Sequence, residues 1–129
     1  MTRLYKIRLE LGRVEGFPQG SSIRGYVFTA PLTDAGHIDA LAWKSFRQDC
    51  KVLRYWGDEP VQHGLLRHVG HGWRFDYETG GSESDEPFFK LDKHVIKPGG
   101  YVSVTEQDRA QRPFRIVSVV PVRAMEKAA

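Results

Sequence analysis

The chain has 129 residues, 40% of them hydrophobic, 12% aromatic and 27% charged, with a formal net charge of +3. That length suits a single domain spanning residues 1–129, with a core large enough to fold without disulfides or metal staples, and a single cysteine, Cys50, excludes an internal disulfide and points to a reducing compartment. The net charge is too small to argue by itself for nucleic-acid binding, no apolar run approaches membrane-spanning length, and Met1 to Lys6 lacks the apolar segment of a secretory leader, so a soluble, cytoplasmic protein without a membrane partner is expected.

From Leu4 to Leu11 apolar residues alternate with charged ones: Tyr5, Ile7, Leu9 and Leu11 share one face and Lys6, Arg8 and Glu10 the other, the pattern of a half-buried strand. A loop rich in Gly and Ser covers Gly16 to Ser22, and a second strand runs from Arg24 to Ala30 with Tyr26, Phe28 and Ala30 on one face, ended by Pro31 because proline cannot donate to a ladder. His37 to Gln48 reads as the one helix. Ile38, Leu41, Ala42 and Phe46 form its apolar stripe, with Asp39 in the first turn and Lys44 and Arg47 in the last, complementing the helix dipole.

Lys51 to Trp56 is a third strand, broken by Gly57-Asp58-Glu59-Pro60. Leu65 to Val69 and Trp73 to Tyr77 flank Gly70-His71-Gly72 as a hairpin, with Trp73, Phe75 and Tyr77 facing one way. Residues 79–87 read as a mobile acidic loop, Phe88 to Leu91 as a short strand, and 124–129 as a frayed tail. The closing hairpin joins Tyr101 to Thr105 with Pro113 to Val122 across Glu106 to Arg112. Its second arm is apolar on both faces, Val117 and Val119 on one side and Ile116 and Val120 on the other, which makes it a central strand against which the N-terminal sheet and the helix pack. Strand after strand with one short helix near residues 37–48 predicts a mainly β, β-dominated α+β fold: a small barrel-like or strongly coiled antiparallel sheet, the helix plugging one end or covering one face.

No residue pattern carries a catalytic signature. His63, His68 and His71 match no zinc-module spacing, and no metal site or cofactor is expected. Asp92 and His94 are two apart, as an acid–base pair on a strand could be. Cys50 reads as a core residue, since a nucleophilic thiolate needs a base or cation beside it. Gly20 to Gly25 lacks the Gly-Lys-Ser/Thr ending of a phosphate loop, and Asp76 and Glu78 read as a solvated mixed-charge stripe with Arg74.

Charge is uneven along the chain. Gly57 to Asp92 is acidic, whereas Lys6, Arg8, Arg24, Lys51 and Arg54, with Arg109, Arg112 and Arg115, would form one basic surface if the chain ends meet in the sheet. The many aromatics fill a core or stack ligands on an open sheet.

The segments Arg24 to Leu32, Gly36 to Asp39 with Ala42-Trp43, Trp73 to Tyr77 and Pro98 to Ser103 resemble those of a family of small proteobacterial proteins with no assigned activity. The closing hairpin is also similar to hairpins of small barrels, including PUA-like RNA-binding domains. The resemblance implies a bacterial cytosolic protein and no reaction. The expected function is a non-enzymatic β-rich module that binds a ligand or protein partner, through Trp56, Trp73, Arg54 and Arg74 and the loops near 57–60 and 79–87. Single-stranded nucleic-acid (RNA) binding by a basic aromatic sheet face, and a small enzyme using a His/Asp cleft, are the alternatives.

Overall fold

Alternating apolar and polar residues produce eight strands in this chain: β1 (Arg3–Leu11), β2 (Ser21–Leu32), β3 (Lys51–Trp56), β4 (Glu59–Val69), β5 (Gly72–Tyr77), β6 (Glu86–Phe89), β7 (Tyr101–Thr105) and β8 (Gln111–Pro121). They were established from a computed structural model, which describes residues 3–69, 72–77, 86–89, 95–106 and 108–122, the segment 86–89 by its backbone. Each strand pairs antiparallel with the next, and β1 also pairs with β8, so the meander closes into a barrel. The wall is continuous from β7 through β8 and β1 to β5, and the short β6 spans the remaining gap by two residue pairs on each side. Closure gives the backbone groups of a strand partners on both sides, which removes the exposed edges that invite aggregation.

Inward-facing residues fill the barrel. Tyr26, Phe28, Phe75 and Phe114 are fully buried with Ile7, Leu9 and Ile116 around them. Tyr26 stacks against Phe75 at 4.9 Å and Phe114 at 5.1 Å, Phe28 meets Phe75 at 5.2 Å, and Trp56 continues the column beyond Phe114 at 6.3 Å. An eight-stranded barrel is just wide enough for its side chains to fill, and these rings do so at the offset and edge-on spacings aromatic pairs prefer.

Two irregularities shape the wall. Arg8 faces Ser118 while Leu9 faces Ile116, which leaves Val117 as an extra residue on β8. This bulge reverses the facing of β8, so that Val119 meets Ile7 on the inside and Val120 meets Lys6 on the outside. At Gly25 a Cβ would lie 2.0 Å from the Leu9 carbonyl oxygen, and Tyr55, paired with Gly25, lays its side chain across the gap and donates its hydroxyl to that carbonyl at 3.1 Å.

The helix is shorter than expected. α1 covers Ala40–Ser45, followed by a 3₁₀ turn at Arg47–Asp49, and Asp39 is its N-cap, accepting from the Leu41 and Ala42 N–H groups at 3.1 Å. The expected stripe is corrected too: Trp43 is the buried residue and Leu41 is 78% exposed. Two steps along a helix turn it by about 200°, so seating Trp43 points Leu41 at solvent. Trp43 donates its indole N–H to the Leu66 carbonyl at 2.9 Å and meets Trp73 edge-on at 5.6 Å, which closes the barrel end formed by the β4 and β5 hairpin.

Three further expectations change. Pro31 lies inside β2 opposite Leu4, its carbonyl accepting from Asp39 N–H at 2.9 Å. Only Gly57 and Asp58 interrupt the chain between β3 and β4, with Gly57 at φ +59°, so Glu59 and Pro60 are strand. β8 packs against β1 and β7, while the helix sits on β2 and β4, and Val120 is 52% exposed. Of the acidic loop, Glu86 and Pro87 belong to β6 and the remainder lies outside the described residues, as does the tail at 124–129.

A side chain at Gly25 must displace the Leu9 backbone carbonyl and, with it, the Tyr55 hydroxyl. Gly25→Val is expected to lower the stability by about 3 kcal/mol, read as a shift in urea midpoint at unchanged m-value. Wild-type stability would contradict this packing.

Candidate binding surface

The most polar cluster sits at the barrel end opposite α1. Glu106 directly follows β7, continues the inward-facing set of Val102 and Val104, and is 4% exposed. One carboxylate oxygen accepts from the Tyr26 hydroxyl at 3.2 Å and from Arg54 Nη2 at 3.3 Å; the other accepts from Arg112 Nη1. A buried carboxylate is tolerable only when paired and hydrogen-bonded in this way. Arg112 also grips Asp108 through two hydrogen bonds of 3.0 and 2.9 Å. Arg54 lies over the Trp56 ring at 4.3 Å and 3.9 Å from Glu59. Two guanidiniums thus meet three carboxylates, Glu59, Glu106 and Asp108, and the cluster's positive charge is neutralised internally.

The four expected binding residues therefore separate. Arg54 and Trp56 belong to this end cluster. Trp73 is 2% exposed, its ring within 4.3 Å of His68 beneath α1. Arg74 stands on the outer wall between Arg67 and Pro87. His63 and His68 occupy opposite faces of β4, and His71, Asp92 and His94 lie outside the described residues. Among the described residues no three His, Cys, Asp or Glu side chains gather as a metal site would require. Cys50 is fully buried, and burial, with a smaller contribution from the Asp49 charge, pushes its thiol up to about 12.

The basic surface is divided as well. Arg24, Arg54 and Arg112 turn toward the barrel end, but Lys6, Arg8, Lys51 and Arg115 stand on the outside. Register fixes their arrangement, because directly paired residues share a face. Lys6 lies between Thr29 and Val120, Arg8 between Val27 and Ser118, and Glu10 between Gly25 and Arg115. Leu53 joins Val27 to His63, and Lys51 faces Leu65. The result is an aliphatic patch rimmed by cations across β8, β1, β2, β3 and β4. Two adjoining clefts lie on it, one of about 680 Å³ reaching from Lys51 and His63 to Asp76, the other floored by Val27 and Leu53 between Lys6 and Lys51, with Asp49 at its margin. Arg8 pairs with Glu10 at 3.4 Å, whereas Lys6, Lys51 and Arg115 form no ion pair among the described residues.

Sequence reasoning passed over Glu106 as part of a polar loop. Its inward parity with Val102 and Val104 was the signal that marked it. The outer patch was half visible: its cations were noted, but their separation from Arg54 and Arg112 depends on which face of each strand turns inward.

Removing the Glu106 carboxylate leaves two guanidiniums facing each other, so Glu106→Ala is expected to cost about 3 kcal/mol in urea unfolding, against less than about 1 kcal/mol for Asp108→Asn at the exposed side of the cluster. Equal effects would contradict the ranking. The Arg112 hydrogen bond holds the Asp108 carboxyl down at about 2. The stability it adds is complete above the unfolded value of about 3.9 and is lost as pH falls through the folded one, and a carbon-detected NMR titration should find its midpoint well below the ordinary range, moving up in Arg112→Gln. Cys50 should resist a water-soluble disulfide reagent at a pH of about 8 until the protein unfolds, and rapid labelling of the native protein would refute its burial. Protein-family models, curated proteins and solved structures offer no match to this chain, so its surface is read from its own chemistry.

Proposed function

We propose that the protein is a non-enzymatic binding module whose contact surface is the outer wall of β8, β1, β2, β3 and β4. The observation that carries this reading is the division between inside and outside: the aromatic column fills the barrel, whereas Lys6, Lys51 and Arg115 surround aliphatic surface and form no ion pair among the described residues, with Asp49 beside the two lysines and Glu10 opposite Arg115. A partner approaching this wall is steered by the cations and held by burial of Val27, Leu53 and their neighbours. Arg54, Trp56 and Trp73 act as scaffold in this reading, and Arg74 lies at the margin of the wall. A bacterial cytosolic setting is part of the same proposal. It accords with the lone buried cysteine and with the finding that no helix among the described residues is long and apolar enough to cross a membrane.

Titration of isotope-labelled protein with oligoglutamate and with a single-stranded oligothymidylate at low salt tests this reading. The expected result is amide shifts centred on Lys6, Thr29, Lys51 and Leu53 for at least one of these polyanions, fading as salt rises. Shifts confined to the barrel end around Arg54, or none with either probe, would overturn it.

A further inference from the structure

We infer that the occupant of this wall is an acidic protein segment bearing aliphatic side chains, an inference that rests on the binding surface proposed above and names its partner class. The charge complement comes first. Lys6 on β1 and Lys51 on β3 flank β2, so they stand two strand spacings apart, about 10 Å, with Thr29 between them and Val27 and Leu53 in the adjoining row of the same cleft. Carboxylates on either side of an aliphatic residue in one short segment match that layout. The apolar content comes second. Val61 is 50% and Val120 52% exposed at opposite margins of the patch, and Val27, Leu53 and Leu65 are half-buried within it. All are aliphatic.

A single-stranded nucleic acid would satisfy the same cations, but its bases need flat rings to stack on. The cleft around Lys6 and Lys51 is lined by no Phe, Tyr or Trp among the described residues, Tyr101 is 55% exposed only at the far margin opposite Arg115, and the ring nearer the cleft is that of Tyr55. Its hydroxyl is committed to the Leu9 carbonyl at 3.1 Å and its ring is covered by the Arg8 guanidinium at 4.8 Å. Bases seated between Lys6 and Lys51 would find Val27 and Leu53 in place of a row of stacking rings. Peptide side chains such as Leu, Ile or Val would find a like surface in which to desolvate.

The test is selection from a display library of short random peptides against the intact protein, followed by anisotropy titration of the recovered peptides. Selected sequences should combine Asp or Glu with Leu, Ile or Val, and their affinity should fall about tenfold or more in Lys6→Glu/Lys51→Glu and in Val61→Ser/Val120→Ser. These positions are exposed, and both variants should keep the wild-type urea midpoint, which separates loss of contact from loss of fold. Recovery of peptides lacking acids, or affinities unchanged in either variant, overturns the inference. An oligothymidylate that binds the same wall more tightly than any selected peptide overturns it too, while leaving the proposed surface in place. Silence of this wall toward both peptides and oligonucleotide removes the surface along with its occupant.

Discussion

The Glu106 carboxylate ties the end of β7 to the neighbouring β8 and to two strands distant in sequence, β2 and β3. It receives Tyr26 from β2, Arg54 from β3 and Arg112 from β8, and it hangs from the end of β7. Local hydrogen bonds set it there: Glu106 N–H donates to the Ala110 carbonyl at 3.0 Å and Arg109 N–H returns to the Glu106 carbonyl at 2.8 Å, with Arg109 itself at φ 69°. Burying a charge costs several kcal/mol unless nearly every lone pair is used. The carboxylate meets that demand with three hydrogen bonds, while Trp56 lies against the Arg54 guanidinium and Asp108 pairs with Arg112. Tyr26, the ring at the centre of the aromatic column, hydrogen-bonds directly to this carboxylate, so the order of the end cluster and the packing of the interior are set together.

This arrangement decides which surface the protein presents. A barrel filled by Phe28, Phe75, Tyr26 and Phe114, closed by Trp43 at one end and by the Glu106 cluster at the other, presents its outside. The same period-two alternation that delivers the core delivers the wall, since each inward Ile7 or Leu9 places a Lys6, Arg8 or Glu10 outward. The bulge at Val117 matters to both: it keeps Val119 against Ile7 and turns Val120 out beside Lys6, extending the aliphatic patch across β8.

Sequence patterning reached the strands and the barrel-like class because alternation is local. Tyr26, Phe28 and Ala30, or Trp73, Phe75 and Tyr77, could face only one way. It did not reach the closure, because β1 meets β8 across more than a hundred residues of chain and nothing in either strand names the other. The helix stripe failed at Leu41 because a six-residue helix is positioned by one anchor, and Trp43 provides it through its ring and its N–H. Pro31 and the run from Gly57 to Pro60 carry the residue types of strand stops, but a ladder tolerates proline where the missing N–H is not needed. The basic residues, expected on one surface, separate for a related reason. Arg54 and Lys51 lie three apart on β3 and so face opposite sides of the sheet, a distinction that charge counting along the chain does not make.

Native-state amide hydrogen exchange, compared between the wild-type protein and Glu106→Gln, tests most directly whether one buried carboxylate holds the barrel together. The account predicts that the substitution speeds exchange by a common factor at the slowest amides of β2, β3 and β8, and of β1 paired between β2 and β8, because these strands open with the loss of the shared anchor. Acceleration limited to the turn between β7 and β8, with the other strands as slow as in the wild type, would contradict it.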